Sequence, residues 1–98
     1  MARHLNLKEY ATDPRTHKRY CVSTVKLSID HGWNGTPLWY ETMVFPASPD
    51  KDEISDWGER YCDRYTYQDS AETGHAQTVK SLIAGELALS SYDSDTDE

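Results

Sequence analysis

Three stretches of the chain alternate between apolar and polar residues with the period of two that is typical of β-strands. They are residues 19–30 (RYCVSTVKLSID), 38–45 (LWYETMVF) and 59–67 (ERYCDRYTY). Residues 31–37 (HGWNGTP), between the first two, contain two glycines and a proline, which favour a tight turn. The pattern therefore predicts a β-hairpin followed by a third strand.

A helical pattern follows these strands. Apolar residues and one histidine recur at spacings of three and four, which favours an amphipathic helix with one buried stripe. Asp69 or Ser70 is the expected N-cap, and Gly85 is the expected C-terminal stop. Gly74 lies inside the helix, where glycine is tolerated if the helix must lie close to the sheet. The sequence predicts a helix over residues 70–85 whose buried stripe consists of Ala71, His75, Val79, Leu82 and Ile83.

Together these elements predict an α+β fold: a three-stranded antiparallel meander with one C-terminal helix packed on one face. Residues 1–18 are hard to assign, although HLNLKEY (4–10) could add a fourth strand at the edge. We expect a single small domain over residues 1–89. The polar, acidic residues 90–98 are expected to form a disordered tail that folding does not require.

The charge of the chain is unevenly distributed. The 98 residues carry a net charge of −7, yet residues 1–19 contain five Lys or Arg and two acidic residues. The acidic balance disfavours direct binding to nucleic acid, whereas the basic segment leaves a phosphate-bearing ligand open. Two cysteines are too few for a disulfide framework, and no apolar run reaches membrane-spanning length. These features predict a cytoplasmic protein without a membrane anchor.

Glu41 is the most unusual residue, because it interrupts the apolar run of residues 38–45. An unpaired buried carboxylate is costly, so we expect Glu41 to be a structural group at the sheet–helix junction, paired with Arg64 or His75. A ligand-binding role stays open. Both faces of the strand over residues 38–45 carry apolar side chains, whichever of them packs in the core. This strand is therefore either covered on both faces or part of a homodimer surface.

The other candidate residues give weaker signals. Asp30 and His31 form either a hydrogen-bonded turn pair or part of a binding surface. Arg64 and Tyr65 belong to a strand that could bind a nucleotide, form a protein interface or simply be half-buried. The histidines and cysteines lack the close spacing of metal ligands, and no nucleophile has an activating local motif. No catalytic residue, metal or cofactor is therefore predicted.

The run CVSTVKLSIDHGWNGTPLWYETMVF, followed by ERYCDRYTYQDSAETGHAQTV, resembles a family of small accessory proteins of tailed bacteriophages. The shared pattern is V-S-T-V, then D-H before a Gly-rich turn, P-L-x-x-E-T-M-V-F, an R-Y strand and a helix with a G-H pair. The chain departs from it at the helix start, where Ala71 precedes Glu72. The family is mostly of unknown function, so the resemblance implies a phage accessory protein and no particular activity.

From this resemblance and the missing catalytic motifs we expect a non-enzymatic protein that binds, and modulates or inhibits, a host protein or defence complex in the host cytoplasm. The alternative is a protein that sequesters a nucleotide-type signalling molecule. A small hydrolase is the second alternative. The candidate binding residues are Glu41, Arg64, Tyr65, His75, Asp30 and His31.

Overall fold

The chain forms an antiparallel sheet with a helix packed against one of its faces. The computed structural model describes residues 5–28, 35 and 37–90. Its strands are β1 (Asn6–Asp13), β2 (Lys18–Lys26), β3 (Tyr40–Pro46) and β4 (Tyr61–Tyr65), and its helix is α1 (Gln68–Ile83). The strands lie in the order β1-β2-β3-β4, so each pairs with its neighbours in sequence. The predicted α+β meander is confirmed, and the segment HLNLKEY contributes to the edge strand β1.

The strand boundaries differ from the predicted ones. β2 ends at Lys26 and not at residue 30. β4 ends at Tyr65 and not at residue 67, because the chain turns from there into α1. β3 begins at Tyr40, two residues later than predicted, and continues to Pro46. Asp30 and His31 lie outside the described residues, so the predictions made for them stay predictions.

The N-terminus of α1 lacks the predicted cap. The helix begins at Gln68, and its N-cap residue is Tyr67, whose backbone is extended with φ −114° and ψ 150°. No side chain forms a capping hydrogen bond there, so the assignment of Asp69 or Ser70 as N-cap was wrong. The helix starts earlier than its capping signals indicate because β4 leads into it after only two residues.

The C-terminus of α1 ends as predicted at a glycine. Gly85 has φ +73°, a left-handed conformation that glycine adopts without steric cost. Its N–H donates to the carbonyl of Leu82 over 3.0 Å, and the N–H of Glu86 donates to Ser81 over 2.9 Å. These two bonds form a Schellman motif, which satisfies the last helical carbonyls and reverses the chain direction.

The main core lies between α1 and the sheet. Val22, Val44 and Leu82 are fully buried there, and burial of such a side chain stabilises a fold by about 1.5–3 kcal/mol. Leu87 joins the same cluster, so the segment after the helix returns across the sheet. Ile83, predicted to face inward, is 57% exposed.

The rotation of α1 explains the position of Ile83. The buried helical residues are Ala71, His75, Thr78 and Leu82, so Thr78 takes the inward place between His75 and Leu82. The Thr78 hydroxyl is satisfied there, because it donates to the carbonyl of Gly74 over 2.7 Å. A hydrophobicity pattern ranks Ile above Thr, which is why the sequence favoured the wrong residue.

The β1–β2 turn is held by a carboxylate and an arginine. Asp13, only 2% exposed, accepts hydrogen bonds from the backbone N–H of Arg15 at 2.9 Å and from its guanidinium. The guanidinium also donates to the carbonyl of Leu87 over 2.6 Å. These bonds to Arg15 lower the pKa of Asp13 although burial opposes them. The turn is thereby attached to the segment that follows α1.

Candidate functional site

The sheet has two different faces. Tyr20, Val22 and Val44 pack in the cluster that contains Leu82 of α1, so they point toward the helix. Because side chains alternate along a strand, their neighbours point to the opposite side, which we name the open face. No helix among the described residues covers this face. The open face comprises Lys8, Tyr10, Cys21, Ser23, Val25, Glu41, Met43, Phe45, Cys62 and Arg64.

The centre of the open face is apolar. Phe45 is 7% exposed and Cys21 is fully buried, while Met43 remains half-buried. Trp57, from the loop between β3 and β4, packs on the ring of Phe45 at a centroid distance of 5.2 Å and an interplanar angle of 59°. Trp57 itself is 70% exposed. A large aromatic side chain therefore stands in solvent at the end of the open face where the loop of Trp57 covers Phe45.

Arg19 fixes the loop that carries Trp57. Its guanidinium lies over the ring of Tyr10, 5.1 Å from the centroid. It donates to the carbonyls of Lys51 at 2.7 Å and Ser48 at 3.3 Å, and it forms an ion pair with Asp52. The loop is consequently anchored to β2 and β1, so Trp57 is presented on a supported backbone.

Glu41 and Arg64 form an ion pair on the open face. Arg64 Nε donates to Glu41 Oε2 at 2.9 Å, and the two residues are directly opposite each other in the β3–β4 register. Glu41 is 7% exposed. The expected partner Arg64 is thus present, but the expected location was wrong, because Glu41 points away from α1. Its neighbours Tyr40 and Thr42 take the side that faces the helix.

The thiol of Cys62 lies beside this ion pair. Its Sγ donates to Glu41 Oε2 over 3.6 Å. Although Cys62 is exposed, partial desolvation of its thiol, followed by the nearby Glu41 carboxylate, raises the pKa of Cys62 to about 11. A thiol with such a pKa is protonated at neutral pH and is a poor nucleophile. This environment disfavours cysteine-based catalysis on the open face.

A chain of hydrogen bonds crosses the sheet beneath α1. The hydroxyl of Tyr65 donates to Thr42 Oγ1 at 3.2 Å, and Thr42 Oγ1 lies 2.5 Å from Thr24 Oγ1. Thr24 Oγ1 lies 2.7 Å from His75 Nδ1, and His75 Nε2 lies 2.8 Å from Glu9 Oε1. The chain contains one residue from each strand and one from the helix, so it connects all five elements.

One assignment of protons satisfies every member of the chain. Each hydroxyl carries a single proton, so Tyr65 donates to Thr42, Thr42 to Thr24 and Thr24 to His75 Nδ1. In this assignment His75 Nε2 donates to the Glu9 carboxylate. No hydroxyl of the chain is left without a donor or acceptor role. The buried hydroxyl groups of the network are therefore all hydrogen-bonded.

The order hydroxyl–histidine–carboxylate of Thr24, His75 and Glu9 has the form of a hydrolase triad. Thr24 is fully buried, however, and His75 is 4% exposed, so a substrate cannot reach the hydroxyl. Glu9, with a side chain 56% exposed, is the solvent-facing end of the chain. The arrangement is suited to fixing the position of α1 on the sheet and not to attack on a substrate.

The structure separates the candidate residues into two groups. Glu41 and Arg64 lie together on the open face, whereas Tyr65 and His75 lie beneath α1. His75 does not contact Glu41, because the two side chains are on opposite faces of the sheet. Among the described residues, no three His, Cys, Asp or Glu side chains are grouped closely enough to hold a metal ion.

Several residues of the hydrogen-bond chain and of the open face were missing from the candidate binding residues predicted from the sequence. Thr24 belongs to a strand with the period of two, but that pattern cannot show hydrogen bonding. Glu9 had no sequence signal, because it lies 66 positions from its partner His75. Trp57 lies in a loop, where periodicity carries no information about exposure.

Comparison with known proteins does not assign the chain to a family. No protein-family model matches the chain, and neither a curated protein nor a solved structure is significantly similar to it. Its function must therefore be inferred from its own residues and their arrangement.

Proposed function

We propose that this chain is a non-enzymatic accessory protein of a tailed bacteriophage that binds a host protein through its open face. The phage origin rests on the sequence resemblance. The binding surface rests on one structural observation, which is the apolar centre of the open face with Trp57 exposed beside Phe45. Aromatic side chains of this kind are frequent anchors of protein interfaces.

The composition of the open face fits a partner protein. Val25 and Met43 lie on the inner strands β2 and β3, while Lys8 and Arg64 lie on the edge strands β1 and β4. An apolar centre surrounded by polar and charged groups is typical of protein–protein interfaces. The same arrangement leaves hydrogen-bonding groups at the rim for orientation of the partner.

The charge of the chain favours a host protein over a second copy of itself. Two copies, each with a net charge of −7, repel each other at long range, whereas a basic partner is attracted. The proposed compartment is the host cytoplasm. In the described part of the chain, no helix has the length and apolarity needed to cross a membrane.

The two alternative functions have less support. Arg64 and Tyr65 lie on opposite faces of the sheet, so they cannot hold one nucleotide between them. A hydrolase needs an accessible nucleophile, but Thr24 is fully buried and the pKa of the Cys62 thiol is raised to about 11. Thr24 is therefore inaccessible, and Cys62, although exposed, is a poor nucleophile at neutral pH.

Trp57 and Ile83 provide a matched pair of variants for a test. Both are large and exposed, at 70% and 57%, but Trp57 lies beside the open face and Ile83 lies on α1. The tagged protein should first be used to isolate a partner from a bacterial host lysate. Binding of the identified, purified partner is then measured by calorimetry. We expect Trp57→Ser to weaken the affinity for the partner by about tenfold or more, as loss of an interface anchor does. Ile83→Ser should leave the affinity nearly unchanged.

A third variant, Met43→Glu, places a charge at the centre of the open face and should also abolish binding. Circular dichroism must show that each variant keeps the fold. Unchanged affinity of both Trp57→Ser and Met43→Glu would refute the open face as the binding surface. Dimerisation of the wild-type protein at micromolar concentration, lost in Met43→Glu, would instead assign this face to a second copy.

A further inference from the structure

A cleft of about 690 Å³ lies at the end of the sheet where β1 turns into β2. One wall consists of the β1–β2 turn, and the other consists of the loop after β3 together with residues 89–90. Its volume falls within the range of small-molecule sites, roughly 300–1,000 Å³. The cleft is separate from the hydrogen-bond chain beneath α1, since His75 does not contribute to it, and it adjoins the Trp57 end of the open face through Arg19.

The cleft is positively charged within an acidic protein. Four of its lining residues are Lys or Arg, and two are Asp. A histidine, His17, adds a further nitrogen-bearing side chain. When Asp52, the ion-pair partner of Arg19, is also counted, an excess of one positive charge remains, in contrast to the net charge of −7 of the whole chain. The basic side chains that line the cleft are Arg15, Lys18, Arg19 and Arg60.

Aspartates hold all three of these arginines in place, because Arg19 is also paired with Asp52 from outside the lining. Asp13 binds Arg15, and Asp56 accepts a hydrogen bond from Arg60 at 3.0 Å. The Arg60 side chain is only 7% exposed and also donates to the carbonyl of Gly58. Guanidinium groups that are already positioned lose less conformational entropy when a ligand arrives.

Lys18 differs from these arginines. It is exposed at the start of β2, directly opposite Asp13 in the β1–β2 register. A lysine at the mouth of a cleft can turn its ammonium group toward an incoming anion without breaking a buried contact. It is therefore the residue best suited to attract a ligand and to test the site.

We propose that this cleft binds a small organic phosphate. The positive groups are suited to a phosphate, which accepts several charge-assisted hydrogen bonds at once. The remaining walls are largely apolar, with Tyr20, Pro46, Ala47 and Leu89, and the volume exceeds that of a bare inorganic ion. The ligand thus carries a phosphate group on an apolar or aromatic body.

Phenyl phosphate is a suitable probe, because inorganic phosphate and phenol represent its two halves. Each is titrated into the full-length protein at constant ionic strength, and binding is followed by backbone amide shifts in NMR spectra. We expect saturable shifts at residues around the cleft, with phenyl phosphate binding more tightly than inorganic phosphate or phenol. The gain reflects simultaneous use of the charged and apolar walls.

Two charge reversals separate a specific site from general attraction of anions. Lys18→Glu changes a cleft residue, and Lys8→Glu makes the same change in net charge on the open face. We expect Lys18→Glu to weaken phenyl phosphate binding roughly tenfold and Lys8→Glu to have little effect, as direct contact predicts. Equal losses in the two variants, shifts scattered over the whole surface, or no saturation at all would overturn the proposal.

Discussion

The ring of Tyr65 lies against Gly74 and occupies the space that a Cβ atom at that position would need. A Cβ built on Gly74 would be 2.5 Å from Tyr65 Cε1 and Cζ, much closer than van der Waals contact allows. The absence of a side chain at Gly74 therefore lets α1 approach β4 closely. This contact reverses the usual preference for alanine over glycine within a helix.

Gly74→Ala should destabilise the protein. At an unconstrained helical position the same substitution stabilises by roughly 1 kcal/mol, but here we expect a loss of about 1–3 kcal/mol from overpacking. Urea denaturation measures the difference. Thr73→Ala, at the adjacent exposed position, is the control and should be neutral or slightly stabilising. A stabilised Gly74→Ala variant would show that the ring of Tyr65 moves aside easily.

The Glu41–Arg64 pair should behave as a coupled unit, and Glu41 and His75 should not. In a double-mutant cycle with Glu41→Gln and Arg64→Met, we expect a coupling of about 1–2 kcal/mol in the free energy of unfolding. The same cycle with His75→Leu should be additive, because His75 lies on the other face of the sheet. Coupling to His75 that equals the coupling to Arg64 would contradict the side-chain arrangement described here.

The hydrogen-bond chain beneath α1 predicts an order of effects. Tyr65→Phe removes only the first donor and should cost about 0.5–1 kcal/mol. Thr24→Val should cost more, about 1–3 kcal/mol, because it leaves the Thr42 hydroxyl proton without an acceptor and His75 Nδ1 without a donor in the interior. Thermal denaturation at pH 7 ranks the two variants. Equal effects would indicate that the hydroxyls act independently.

Asp13 should contribute to stability at neutral pH and lose that contribution in acid. Its pKa is lowered in the folded state, so its stabilisation is present above the ordinary carboxyl pKa of about 3.9 and declines as the pH falls through the folded value. The difference in unfolding free energy between wild type and Asp13→Asn should be constant from about pH 7 to pH 5 and shrink below about pH 4. Asp50→Asn, in an exposed loop, is the control. A difference that persists unchanged to pH 2 would exclude an ionic contribution.

Cys62 should react slowly with iodoacetamide. A pKa of about 11 reduces the thiolate fraction, and the higher nucleophilicity of a more basic thiolate offsets part of this loss. At pH 8 we expect a rate roughly tenfold below that of an ordinary cysteine. Glu41→Gln should increase the rate, because the nearby carboxylate is one cause of the raised pKa. Mass spectrometry distinguishes Cys62 from the fully buried Cys21. Rapid alkylation of Cys62 in the wild type would disprove the raised pKa.

Much of the fold could be predicted because it depends on local patterns. The period of two predicted β2, β3 and β4, and the period of three to four predicted α1. Gly74 and Gly85 were interpreted correctly, since close approach and a left-handed backbone both favour glycine. The boundaries were less accurate where tertiary contacts outweigh capping residues, as at Tyr67.

The candidate site was harder to predict than the fold. Local alternation in β3 left two choices of core face, and only the packing of α1 determines that Glu41 lies on the uncovered side. The bond between His75 and Glu9 depends on how a helix crosses a sheet, which no pattern within either segment contains. The contact of Trp57 with Phe45 depends likewise on the path of a loop.

The strand order β1-β2-β3-β4 has a consequence for the folding pathway. Every strand pair joins neighbours along the chain, so the sheet can grow by successive short closures with a small entropic cost at each step. The bond from His75 to Glu9 instead closes a separation of 66 residues. The contact of α1 with β1 therefore carries a larger loop-closure cost than any strand pairing, and we expect the helix to dock on β1 after the sheet has formed.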